Sequence, residues 1–385
     1  MLKNLGATEE FDNFKEIVLQ KTDIKMTPHA VEIANNIPVY DGAHLEELTA
    51  NSDKEYDLLS EWTRVFSQGA GIIVIRNGIP DHSVLDRATE VFESLIDAEK
   101  EQSGGGGDHF AKAGANDRVW NALEKHGLAD PANFAAYYGS NAIALASKAW
   151  LGRGYQMTAQ VNRVNPGGAA QKPHRDYHLG FMSRAQMLEF PAHVHALSPV
   201  LTLQGAVAHC DMPLESGPTQ FLPFSQMVED GYLSFTQDAY QSYFQENFVQ
   251  LPLNKGDMVF FNPAVMHGAG DNVTSDIYRM ANLLQVSSAF GRAMETVNRT
   301  KLSKAIYPAL LEAKAQGTLN ARELSNAIGC CAEGYAFPTN LDNDPPVGGL
   351  APKTQADIMT DALADQMSAD ALNVQLDALS QRQQS

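Results

Sequence analysis

The chain has 385 residues, 44% hydrophobic and 19% charged, the balance of an ordinary soluble globular protein. With 28 Lys and Arg against 46 Asp and Glu, its net charge of −18 argues against a nucleic acid or an anionic membrane as main partner. Three cysteines, two of them adjacent, cannot build a disulfide framework, and no run approaches the ~18 apolar residues of a bilayer span.

The N-terminus carries acids early and no long apolar run, which excludes a secretory signal, and the whole predicts a cytoplasmic protein. Residues 1–55 read as a polar N-terminal extension with one helix near 12–20. From Tyr56, Leu58, Leu59, Trp62, Val65 and Phe66 recur at helical spacing. Gly69-Ala70-Gly71 ends that helix, and residues 72–75 (IIVI) form a buried strand. A second helix follows from Pro80 to about Glu99, with Val84, Leu85, Ala88, Val91, Phe92 and Leu95 on one face. The glycine run 103–107 predicts a surface loop, or alternatively a hinged lid. Residues 118–152 look helical.

Beyond them the pattern turns to short strands with turn punctuation: 157–164, 200–208, 220–222, 258–261, 264–267 and 278–286. Residues 226–250 interrupt the series as a helical insertion. Residues 291–317 are predicted helical, 337–353 a proline-rich loop, and 354–385 one amphipathic helix able to pack on the barrel or on a second subunit. The domain reading is thus 1–55 extension, 56–292 a mainly β core with α flanks, and 293–385 a helical extension.

An iron centre that must also bind oxygen and a cosubstrate needs two imidazoles and one carboxylate on one face, with other positions open. Residues i and i+2 of a strand share a face, so a His-x-Asp triplet can present two such groups. Two triplets occur, His174-Arg175-Asp176 and His209-Cys210-Asp211, with one downstream histidine, His267. Three strand candidates separate Asp176 from His267 but only two separate Asp211 from it, which favours the first triplet. His209 and Asp211 then end a strand, with Asp211 bonding turn amides. His178 could face the same cavity, His193 and His195 read as wall or surface residues, and Lys172 and Arg175 as solvated charges near the mouth.

The run HRD, GPTQFLP and KGDMVFFNPAVMHGAGDN, followed by an arginine that opens a strand, resembles the phytanoyl-CoA dioxygenase family over about residues 57–290. GAGIIVIRNGIPDHSVLDRA is similar to that family's N-terminal strand and helix. The resemblance implies a double-stranded β-helix (a jelly roll, cupin-like) and a dioxygenase using Fe(II), 2-oxoglutarate and O2 to hydroxylate a small molecule. His174, Asp176 and His267 match its iron ligands, and Arg279 matches the arginine that grips the distal carboxylate of 2-oxoglutarate. Gln204 falls where relatives line the cosubstrate pocket, and Gln160 and Asn162 are polar residues that could face inward from the preceding strand. The chain departs from some relatives at Ala269, where a hydroxyl would contact the cosubstrate. The rival readings are a cupin-type metal barrel without 2-oxoglutarate chemistry, acting as isomerase or sensor, and an inactive scaffold assembling through its tail helix as a homo-oligomer.

Overall fold

The computed structural model describes residues 8–103, 114–176, 180–228 and 231–384. Ten strands run in the order β1 (Glu32–Ala34), β2 (Ile37–Asp41), β3 (Ile72–Arg76), β4 (Asn116–Val119), β5 (Gln156–Val164), β6 (Thr202–Ala208), β7 (Thr219–Leu222), β8 (Met258–Phe261), β9 (Met266–Ala269) and β10 (Arg279–Ser287). Eight form one sheet, β1-β2-β3-β8-β6-β10-β5-β4, antiparallel except where β2 lies parallel to β3. The second sheet is the pair β7-β9, widened by single bridges from His174 to His267 and from Phe221 to Val249. From β6 to β10 strands adjacent along the chain therefore alternate between facing sheets, which is the jelly-roll arrangement.

Side-chain alternation decides what each face does. On the inner face of the large sheet, Ala206, Ala208, Val259 and Phe261 pack against Phe221 and Val265 of the opposite side. On its outer face, Met157, Ala159, Val161, Leu203, Val207, Phe260, Leu284 and Val286 meet the helices. Both faces are buried, so these strands read as nearly unbroken apolar runs. A third cluster joins Phe14 of the N-terminal helix Thr8–Val18 to Tyr240 and Phe244 of the helix Asp238–Asn247, over Leu222 and Met266.

Several sequence expectations need correction. The stretch 1–55 contributes β1 and β2 to the large sheet and a helix at Gly42–Thr49. Residues 118–119 belong to β4, because Arg118 and Val119 pair with Asn162 and Val161. Helices then occupy Ala122–Ala129, Pro131–Tyr138 and Asn141–Leu151. Helix resumes only at Arg299, where the Asn298 side chain caps the Lys301 amide. The expected strand 264–267 is displaced to Met266–Ala269.

The tail is two helices, Gln355–Ala364 and Ala369–Arg382, because Gln366 takes a left-handed backbone (φ 52°) and Ser368 caps a new start. Both pack on the helix Arg299–Gln316 of the same chain. The glycines of the predicted loop, 104–107, and His178 lie outside the described residues.

Candidate metal centre

His174 and His267 come from neighbouring backbones that exchange both ladder bonds: His174 N–H donates to His267 O at 2.8 Å and His267 N–H to His174 O at 2.9 Å. Directly opposed residues carry their side chains on the same face, and the two ring centroids lie 4.5 Å apart. Asp176, two positions on, is anchored by its own N–H to Pro263 O at 3.0 Å. Its carboxylate stands 3.8 Å from His174 Nε2 and 3.7 Å from His267 Nε2. Among the described residues this is the one group of three metal-capable side chains, its ligand atoms all within 4.8 Å of one another.

The backbone also sets the tautomers. His174 Nδ1 lies 2.9 Å from Lys172 O, and His267 Nδ1 lies 2.8 Å from Val265 O. A carbonyl only accepts, so each Nδ1 carries the proton and each Nε2 offers its lone pair to the shared space. Burial, with the second imidazole alongside, holds His267 below its ordinary pKa and therefore neutral. Phe261 meets its ring edge-on at 4.7 Å. Two imidazoles and one carboxylate on a single face fit iron(II) with open positions beside it.

Gln204, from the inner face of β6, donates its Nε2 to the Asp176 carboxylate and, at 3.2 Å, to Gln285 Oε1 on β10. Because a carboxylate only accepts, this contact fixes which end of the amide is which. Gln204, which the resemblance associates with the cosubstrate pocket, thus also reaches the carboxylate ligand. Gln285 was not anticipated. It sits an even number of positions from Arg279 on one strand, so strand parity alone could have found it.

Arg279 opens β10 and is 7% exposed, with Nη1 donating to Ser216 O at 2.8 Å. Burial brings its guanidinium down to about 10, so it is charged at neutral pH. Among the described residues it forms no ion pair, and a buried cation is costly unless an anion joins it. Ser216 precedes Gly217, whose left-handed backbone (φ 71°) would place a Cβ 2.4 Å from Gly270 O and Asp271 O; only glycine fits there.

Gln160 and Asn162 pair with Leu283 and Ala281, which line the inner face. Gln160 Oε1 accepts from Arg118 Nη1 at 3.1 Å, and Asn162 Oδ1 is buried without a donor among the described residues. Ala269 lies opposite Thr219, so a hydroxyl faces the position where Ala269 has none.

The second triplet is elsewhere. His209 is buried on the outer side of the sheet between Thr89 and Tyr137, and Asp211 accepts from the Lys255 amide, a turn contact. Arg175 is not solvated: it is 4% exposed and donates to the backbone oxygens of Ala264, Ser225 and Val228. Alternation turns it away from its neighbours His174 and Asp176, where it locks their segment to the loop before β9. His195 bonds Met187 O at 3.0 Å and His193 is exposed, both apart from the triad.

The family model described as Phytanoyl-CoA dioxygenase (PhyH) matches residues 67–281. No curated protein sequence matches the chain. Among solved structures, the non-heme alpha ketoglutarate dependent epimerase SnoN from nogalamycin biosynthesis is 20% identical with a TM-score of 0.40, over 66% of this chain and 86% of that one. The non-heme alpha ketoglutarate dependent carbocyclase SnoK from the same biosynthesis is 20% identical with a TM-score of 0.45, over 65% and 92%. EvdMO1 is 17% identical with a TM-score of 0.42, over 60% and 50%.

Proposed function

The chain belongs to the phytanoyl-CoA dioxygenase family, and on that premise we propose that it is an Fe(II)- and 2-oxoglutarate-dependent oxygenase that hydroxylates a small molecule. The observation that carries this reading is the pairing of the His174–Asp176–His267 face with a buried guanidinium at Arg279 that forms no ion pair among the described residues. A metal barrel without 2-oxoglutarate chemistry would have no use for a buried cation on the same wall.

Iron(II), when bound, supplies the oxidising centre that couples O2 and the decarboxylation of 2-oxoglutarate to succinate and CO2 with oxidation of a substrate C–H bond. His174 and His267 would hold it through Nε2, their Nδ1 hydrogens tied to Lys172 O and Val265 O so that the rings cannot turn. Asp176 completes the set, oriented by the Gln204 amide. Arg279 would grip the distal carboxylate of the cosubstrate with its planar fork, positioned by Ser216 O. The Thr219 hydroxyl, with Gln160 and Asn162 across the cavity, would complete that wall. An intact carboxylate at Asp176 favours hydroxyl transfer over halide chemistry, which needs that position vacated.

No helix among the described residues is long and apolar enough to cross a membrane. The test is anaerobic loading with iron(II), then oxygen and 2-oxoglutarate against a metabolite panel. Succinate formation, accelerated by one class of panel member, is the expected result. Absence of succinate under every condition refutes the reading.

A further inference from the structure

Gln204 and Gln285 face each other directly across β6 and β10, on the inner side of the large sheet. Their amides share one hydrogen bond, from Gln204 Nε2 to Gln285 Oε1 at 3.2 Å, and the same Nε2 donates to Asp176. That leaves two atoms. Gln204 Oε1 is buried in a residue only 3% exposed and meets no donor among the described residues. Gln285 has committed its Oε1, and its Nε2 hydrogens meet no acceptor among the described residues. A buried carbonyl oxygen without a donor costs about 1–3 kcal/mol. Such a cost is retained where a ligand removes it.

We infer that Gln204 Oε1 and Gln285 Nε2 form a substrate subsite beside the metal's carboxylate, reading a neutral amide edge: a lactam or carboxamide whose N–H meets Gln204 and whose C=O meets Gln285. The inference rests on the proposed function and adds the substrate class. Asp176 next to the pair disfavours an anion, and an anion would also set its lone pairs against Gln204 Oε1. The two free atoms belong to different side chains and do not bond one another, so they are separate points. An amide edge, with donor and acceptor on different atoms, meets both. A site built this way rejects analogues that lack the N–H, because its own polar groups are then left unpaired.

The test uses the full chain loaded with zinc(II) and 2-oxoglutarate, so that binding is read without turnover. Saturation-transfer NMR measures binding of matched probes: 2-piperidone against δ-valerolactone, benzamide against methyl benzoate, and benzyl alcohol. The expected result is that each amide binds at least tenfold tighter than its oxygen counterpart, and that Gln285→Met, which removes the donor to the shared C=O, weakens amide and oxygen counterpart alike. Equal binding of amide and ester in the unaltered chain overturns the subsite, as does no binding by any probe or an alcohol that matches the amides. The unaltered chain carries the test even where the variant fails to fold. Calorimetric titration of zinc(II) and 2-oxoglutarate into the same protein is scored separately, so failure of the metal and cosubstrate reading is distinguishable from failure of the subsite.

Discussion

Acid should unfold this protein through two buried histidines remote from the metal. His209 Nδ1 lies 2.8 Å from Thr89 Oγ1, whose own hydrogen goes to Leu85 O. His209 therefore donates from Nδ1 and accepts at Nε2 from the Tyr137 hydroxyl at 2.9 Å, while Asn282 donates to that same hydroxyl oxygen. A second proton on His209 would point Nε2–H at the Tyr137 hydrogen, with no other acceptor in reach among the described residues. His126 donates Nε2–H to Asn133 Oδ1 at 2.8 Å, and its Nδ1 is buried without a partner among the described residues. Burial pushes His209 down to about 3 and His126 down to about 4. Both folded values lie below the unfolded ~6.5, so the unfolded chain takes up protons first. Stability is complete above about pH 6.5 and declines as pH falls toward 4 and 3.

At pH 5 the loss depends mainly on the unfolded value: about 2 kcal/mol for each histidine, or about 4 kcal/mol for both. The assay is urea unfolding of chelator-treated protein at pH 7.5, 6 and 5, in the unaltered chain and in His209→Gln. Glutamine can keep the bonds to Thr89 and Tyr137 but cannot titrate. Its acid loss should be smaller by about 2 kcal/mol, whatever packing cost it shows at pH 7.5. Identical acid losses in the two proteins would refute the proton assignment.

Three further outcomes follow from the site. Arg279→Leu should raise the KM for 2-oxoglutarate by about 10- to 100-fold, the worth of a charge-assisted bidentate contact; an unchanged KM in steady-state succinate assays would remove Arg279 from the site. Gln204→Leu, by releasing Asp176, should weaken metal affinity by about 10- to 100-fold in anaerobic titration. Gly217→Ala should lower the thermal midpoint and weaken 2-oxoglutarate binding together, because Ser216 O sits on that turn; a change in one without the other would separate the turn from Arg279.

The sequence located the triad because strand parity and strand count are properties of the chain itself, and His174, Asp176 and His267 do converge. The sheet face of Gln204 was equally legible, but not its partner, since a polar side chain on an inner face can meet anything lining the cavity. Arg175 was misplaced for a related reason. Charge suggested solvent, yet the three backbone oxygens that hold it come from Ser225, Val228 and Ala264, and no local pattern announces them. β1 and β2 were missed because Ile37–Asp41 is a short run after two asparagines with positive φ, and its partner β3 lies beyond two intervening helices. The break in the tail at Gln366 has no glycine or proline to mark it.

The reciprocal bonds between His174 and His267 have a consequence for how the molecule is made. These residues are far apart in the chain and neighbours only once the smaller sheet has closed, a non-local contact of the kind that forms slowly. A partly folded chain has two isolated imidazoles and no chelate. Metal uptake thus marks the end of assembly, and by binding the finished state alone it acts as a latch, adding stability in proportion to the logarithm of its concentration. Cells short of iron would then hold this protein in a less stable, more readily degraded form.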